Sequence, residues 1–188
     1  IKWSPNGKSI AFTSFVWPNC DAECAKEREK AREESNVTAK TTESLLFRHW
    51  DTWRTDGKRS HLFLVNVATG EYRDLIPDAE YDVPPFPFGG SGDYNFSPDG
   101  KEIAFTAKIA PDPAIQTNLD IHVLSLEGGE PKNITAEYKG QDAGPTYSPD
   151  GKYIAYLSMA RPRFEADQQE ITLYDRQTGE ISVVTDEM

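Results

Sequence analysis

Apolar residues along this chain come in short runs of period two, each cut off by a cluster of Pro, Asn, Asp and Gly. Such a pattern predicts short strands joined by tight turns. Three near-copies of one phrase organise it: Trp3-Ser4-Pro5-Asn6-Gly7-Lys8-Ser9-Ile10-Ala11-Phe12, then Phe96-Ser97-Pro98-Asp99-Gly100-Lys101-Glu102-Ile103-Ala104-Phe105, then Tyr147-Ser148-Pro149-Asp150-Gly151-Lys152-Tyr153-Ile154-Ala155-Tyr156. In each, Pro presets φ near about −65° at the first corner, Asp or Asn tolerates the next, and Gly accepts the positive φ that closes a hairpin. In the outgoing strand, Ile103 and Phe105 share one face and Ala104 points to the other, where its small side chain lets a neighbouring sheet approach closely.

A second phrase follows each copy: residues 61–76, 121–135 and 171–184 each read as strand, glycine turn, strand. Gly100 to Gly128 and Gly151 to Gly179 are both 28 residues apart, whereas Gly7 to Gly70 is 63, so the first unit carries an insertion of about 35 residues. Four antiparallel strands repeated in this way match propeller blades, in which each small sheet buries its faces against its neighbours. The expectation is an all-β fold: a β-propeller fragment of about three four-stranded antiparallel blades near 1–77, 93–136 and 144–185, with a helical insertion at about 17–59 in the first blade. Three blades are too few to close a ring of about four to eight. The chain also opens at Ile1 inside a repeat, as expected of a piece of a longer protein.

Helical periodicity is confined to the insertion. Residues 21–34 hold six acidic and four basic side chains, with Glu23/Lys26, Glu27/Lys30 and Glu29/Arg32 three apart, which favours a solvated helix. Its apolar content is too small to anchor a core-facing stripe, so an exposed decoration or a partner-docking helix is expected. Cys20 and Cys24, the only cysteines, begin this segment. Within a regular helix that spacing suits a disulfide poorly, but Cys20 follows Pro18 and falls outside the first turn, where a bridge becomes possible. A structural disulfide, two free thiols and a metal or redox site all stay open, the last disfavoured because other ligands are absent nearby. A disulfide would imply export, to the periplasm or outside the cell.

The densest group of recognition-type residues is Arg48-His49-Trp50-Asp51-Thr52-Trp53-Arg54, ahead of Gly57. Trp and Arg are favoured anchors at interfaces, so the segment reads as a ligand-contacting loop or domain interface. The competing reading has Trp50 and Trp53 covering a blade edge, with Arg48 and Asp51 pairing at the rim. Residues 53–57 also have the aromatic-to-glycine spacing of the repeat turn, but the unbroken strand phrase at His61 favours an elongated hairpin over a degenerate extra repeat. Residues 81–94, rich in Pro, Gly and aromatics, predict a loop crossing between blades, with Phe86 and Phe88 filling an inter-blade gap. The loops at 110–118 and 159–167 occupy equivalent places in the second and third blades, so they share one rim with the insertion. Loops on one rim commonly build a functional surface.

Composition and charge narrow the picture. A net charge of −11 disfavours nucleic acid and anionic membrane surfaces as partners. No apolar run approaches the roughly 20 residues that span a bilayer. No G-x-S-x-G elbow, H-E-x-x-H, phosphate loop or EF-hand pattern occurs. The expectation is therefore no catalytic residue, no cofactor and no metal within these residues.

Longer phrases carry a family resemblance. The Ser-Pro-Asp-Gly-Lys repeats resemble those of periplasmic TolB-type propellers and of prolyl oligopeptidase family serine peptidases. Pro18-Asn19-Cys20 with Cys24, Leu46-Phe47-Arg48-His49-Trp50-Asp51-Thr52-Trp53, Asp82-Val83-Pro84-Pro85-Phe86-Pro87-Phe88-Gly89 and Arg161-Pro162-Arg163-Phe164-Glu165-Ala166-Asp167 look like the propeller of bacterial dipeptidyl and acylaminoacyl peptidases. The resemblance implies a non-catalytic propeller that caps the active site of a C-terminal α/β-hydrolase domain and gates or binds peptide substrates. It implies that Asp51, Glu165 and Asp167 contact a peptide ammonium, and that Arg48 and Arg161 hold a substrate carbonyl or bridge to the hydrolase domain. The alternative is a TolB-like propeller that binds another protein.

Overall fold

In the computed structural model, which describes residues 1–185, each Ser-Pro-Asx-Gly phrase closes its hairpin with the same bonds. Gly7, Gly100 and Gly151 sit at φ 68°, 69° and 71°, a left-handed conformation that side chains disfavour. The serine is an internal strut. Ser97 Oγ donates to Asp99 Oδ1 at 2.6 Å and accepts from the Glu102 N–H at 3.2 Å. Ser148 repeats this with Asp150 at 2.6 Å and the Tyr153 N–H at 2.9 Å, and Ser4 with Asn6 and the Ser9 N–H, both at 2.9 Å. The Asx oxygen in turn accepts from the lysine N–H that follows Gly. A local side-chain network therefore satisfies the backbone donors that the turn leaves over.

The first blade contains β1 (Lys2–Trp3), β2 (Ser9–Val16), then α1 (Ala22–Glu34), β3 (Arg48–His49) and β4 (Thr52–Trp53), then β5 (Arg59–Asn66) and β6 (Tyr72–Asp74). The second holds β7 (Tyr94–Phe96), β8 (Glu102–Ala107), β9 (Asp120–Ser125) and β10 (Lys132–Asn133). The third holds β11 (Gln141–Tyr147), β12 (Tyr153–Met159), β13 (Glu170–Asp175) and β14 (Ile181–Val183). Each blade is a four-stranded antiparallel meander, and β3–β4 form a separate two-stranded hairpin in place of the expected elongated one. The propeller reading of the repeats therefore holds at the level of sheet order.

The middle blade is buried on both faces. Ile103 and Phe105 of β8 join Leu62 and Leu75 of the first blade and Val83 of the crossover in one core. Ala104, wholly buried between them in sequence, faces Ile154 and Tyr156 of the third blade in a second core. Fully burying each large apolar side chain contributes about 2 kcal/mol, so these two seams dominate cohesion between blades. Polar ties add register: Tyr147 OH donates to Glu102 Oε1 at 2.9 Å, Arg176 pairs with the same carboxylate, and the Asp142 N–H donates to the Leu119 carbonyl at 2.9 Å.

Two expectations change. Phe88 does not fill an inter-blade gap, because Leu75, Ile76, Ala79 and Val83 already occupy that seam; it is 80% exposed. Of the helix pairs read from spacing, Glu29–Arg32 forms at 3.7 Å, and Lys30 turns to Glu34 at 3.8 Å. The helix itself buries no side chain, and Asp21 caps it by accepting from the N–H groups of Glu23 and Cys24.

Candidate functional site

The meander order fixes which segments meet. The Gly turns lie at one end of the blades, so the β2–β5, β8–β9 and β12–β13 connections and the blade-to-blade crossovers emerge together at the other. Contacts confirm the shared rim: the Asn19 N–H donates to the Pro77 carbonyl at 3.0 Å, Arg59 Nε to the Glu80 carbonyl at 3.0 Å, and the Arg163 N–H to Thr117 Oγ1 at 2.7 Å.

On this rim the β3–β4 hairpin presents an aromatic cluster. Trp50 is 79% exposed, lies at φ 50° and stacks on His49 with centroids 4.9 Å apart. His49 meets Phe86 and Phe88 edge-on at 5.7 and 5.2 Å. Trp53 is flanked by the Arg48 guanidinium at 5.0 Å and the Lys40 ammonium at 5.5 Å, contacts of a cation–π kind. Arg48 also donates to the Trp50 carbonyl, and Asp51 is exposed at the hairpin tip. Trp50 thus stands out from the surface, while Trp53, 42% exposed, packs within the insertion on Phe47, Arg48 and Lys40.

The third-blade loop is arranged differently. Arg161 donates from its backbone N–H and its Nε to the Asp167 carboxylate at 2.8 and 2.7 Å, and its guanidinium lies 4.1 Å from the Phe164 ring centroid. These bonds hold the Asp167 carboxyl below the usual carboxylate range. Arg161 and Asp167 are used on each other, which leaves Glu165 exposed at the crest of the loop.

Cys20 and Cys24 form a disulfide with Cα atoms 5.4 Å apart. Among the described residues no three His, Cys, Asp or Glu side chains converge where a metal could sit. His61 and Asp74 make a His–Asp contact, Nδ1 to Oδ2 at 2.6 Å, but His61 Nε2 faces the Ala79 carbonyl at 2.9 Å. The ring atom that would activate a nucleophile is therefore occupied by backbone.

The residues that sequence reasoning passed over are charged and distant in the chain. Arg54 and Asp82 pair at 2.7 Å with both side chains largely buried, Asp82 also accepts from the Ser60 N–H at 2.9 Å, and Arg54 lies 4.2 Å from the Phe86 centroid. This tie fixes the insertion to the crossover. Beside it opens a cleft of about 590 Å³ whose walls include Leu46, Phe86 and Ile109, with Arg59, Lys108 and Asp112 among its charges. Lys108 Nζ donates to the carbonyls of Gln116 at 2.9 Å and Pro113 at 3.4 Å, and burial pushes its ammonium pKa down against the opposing charge of Glu165. Both Arg54 and Asp82 stood inside quoted motifs, but nothing local announces that they meet.

No family model matches the chain. It is 31% identical over 183 residues to dipeptidyl-peptidase 5 of Porphyromonas gingivalis, covering 94% of this chain and 26% of that protein. The chain spans about a quarter of the length of the curated relatives it matches. Among solved structures, the acylaminoacyl peptidase of Pyrococcus horikoshii superposes at TM-score 0.61 and 12% identity, over 100% of this chain and 25% of its own. TolB from Acinetobacter baumannii superposes at 0.52 and 17% identity, over 96% and 30%. These likenesses show the fold alone, a β-propeller segment of the kind found in TolB and in that acylaminoacyl peptidase.

Proposed function

We propose, from a propeller segment that matches dipeptidyl-peptidase 5 along nearly its whole length, that this chain is the non-catalytic part of a larger serine exopeptidase and lies over the active site of an α/β-hydrolase domain. The single observation that carries the reading is that sequence similarity. In this arrangement the hydrolase domain supplies the activated serine and forms the acyl-enzyme, and the rim excludes folded proteins and orients the peptide.

The rim chemistry suits that task. A peptide ammonium needs carboxylates in a partly desolvated place, and Asp51 and Glu165 are exposed carboxylates on the two loops. Arg48 backs Trp53, so its planar guanidinium is stiffened for a carbonyl or for the hydrolase surface. The Arg161–Asp167 clasp holds the loop that carries Glu165. A disulfide beside α1 agrees with a periplasmic or secreted setting.

The test is kinetic, in the full-length protein with dipeptidyl and aminoacyl chromogenic substrates. Arg48→Ala or Asp51→Ala should lower kcat/KM by about tenfold or more, equivalent to about 1.4 kcal/mol of transition-state stabilisation, with the unfolding midpoint little changed. Unchanged kcat/KM in both variants removes the rim from the account. A second reading, a TolB-like module that binds another protein, is favoured by the 79% exposure of Trp50 and 80% exposure of Phe88 on one surface. Absence of any peptidase activity in the full-length protein would leave that reading in place.

A further inference from the structure

The cleft between the insertion, the first crossover and the β8–β9 loop holds charges of both signs, only some of which are paired with one another. Arg54 and Asp82 are paired and form part of its wall. The other cations, Arg59 and Lys108, bond only to carbonyls: Arg59 to those of Glu80 and Lys58 at 3.0 and 2.9 Å, Lys108 to those of Gln116 and Pro113 at 2.9 and 3.4 Å. Glu80 and Asp112 line the same cleft, and among the described residues neither carboxylate has an ion-pair partner. Lys108 is half-buried with Glu165 as a nearby opposing charge but no carboxylate in hydrogen-bond contact, and a bound anion adds to that compensation. Leu46, Phe86 and Ile109 add apolar wall between the charged groups, and about 590 Å³ falls within the usual range for small-ligand sites.

We propose that this cleft binds a short zwitterionic peptide, with its carboxylate on Lys108 and Arg59, its ammonium on Glu80 and Asp112, and its side chains against Leu46, Phe86 and Ile109. A simple anion would satisfy the two cations and leave both carboxylates repelling it. A simple cation would meet the reverse problem. A free dipeptide or tripeptide answers both, and a charged contact of this kind is worth about 1.5–3 kcal/mol, or roughly tenfold or more in affinity. The choice of a peptide as the dipolar ligand rests on the peptidase reading above, and it makes the cleft a place where product or short substrate is held beside the β3–β4 hairpin, whose His49 meets the Phe86 wall.

Calorimetric titration of the full-length protein tests this with three probes: the dipeptide Ala-Leu, its N-acetyl form and its C-terminal amide. The free dipeptide should bind at least about tenfold more tightly than either blocked form. Lys108→Met should erase the discrimination against the amide and keep that against the acetyl form; Lys108→Arg should restore it. Asp112→Asn, at a side chain that makes no hydrogen bond among the described residues, should do the reverse. Equal binding of free and blocked peptides, or a preference that survives both Lys108→Met and Asp112→Asn, overturns the proposal. Intact hydrolysis without cleft binding sinks this inference alone, and cleft binding without any hydrolysis sinks the peptidase reading alone.

Discussion

His61 and Asp74 lie 2.6 Å apart, Nδ1 to Oδ2, with the imidazole wholly shut off from solvent and its other nitrogen 2.9 Å from the Ala79 carbonyl. Two acceptors on two ring nitrogens require two protons, so the fold favours imidazolium. Burial alone would lower the His61 pKa, but the Asp74 bond, the Ala79 carbonyl and the charges of Asp74 and Asp82 outweigh it and hold the value above 6.5. The contact ties β5 and β6 to the crossover that carries Asp82 and Phe86.

Stability should therefore depend on pH through His61. A folded pKa raised above the unfolded value means that the contribution is fully present below about pH 6.5 and is lost as pH rises through the raised value. Urea unfolding from pH 6 to 9 should show that decline, and His61→Gln should be less stable and lack the slope. A wild-type curve that is flat across this window would show that the ring is already neutral.

The turns and the alternation were legible in the sequence because their causes are local. Gly100 needs its positive φ whatever surrounds it, and the period of two that set Ile103 and Phe105 against Ala104 follows from strand geometry. The rim was legible only as a place. Trp50 and Trp53 announced themselves by type, but Arg54 and Asp82 are brought together by the fold across 28 residues. Phe88 misled because composition cannot show that Val83 and its neighbours already fill the seam.

Ala104 has no exposed surface and stands where the second and third blades approach. Ala104→Leu should force Ile154 or Tyr156 from its rotamer and destabilise the protein by about 1–3 kcal/mol, read as a lower urea midpoint. The same change at the exposed Ala22, on α1, should leave the midpoint within about 0.5 kcal/mol. Equal effects at the two sites would mean that the seam is loosely packed.

The helix α1 buries no side chain, so its attachment rests on few contacts: the Cys20–Cys24 bridge, the Lys58–Glu29 pair and the packing of Arg28 and Lys58 on Trp17. In a chain-entropy account, closing so short a loop is worth about 2 kcal/mol. Replacing both cysteines by Ser should reduce helical ellipticity and open 18–45 to limited proteolysis, while the sheets keep their unfolding midpoint. Loss of the whole cooperative transition would show that the insertion is integral to the blade.

Asp142 is the reverse case to His61. It is 1% exposed on β11, accepts from Ser158 Oγ at 2.6 Å through Oδ1, and leaves Oδ2 without a partner. Burial, against the Ser158 hydroxyl bond and with the Asp120 charge adding to it, raises its pKa from 3.8 to about 6. The unfolded chain therefore ionises first, and stability falls as pH rises from 3.8 through about 6. Above that window the buried carboxylate costs on the order of a few kcal/mol. Asp142→Asn keeps an oxygen for Ser158 and removes the charge. It should raise the urea midpoint at pH 7, give a smaller gain at pH 5, and give none at pH 3.5. Because His61 loses its contribution only above pH 6.5, the two titrations fall in separate windows. If Asp142→Asn is destabilising at pH 7, the ionised carboxylate is being held by a bond that Asn cannot make.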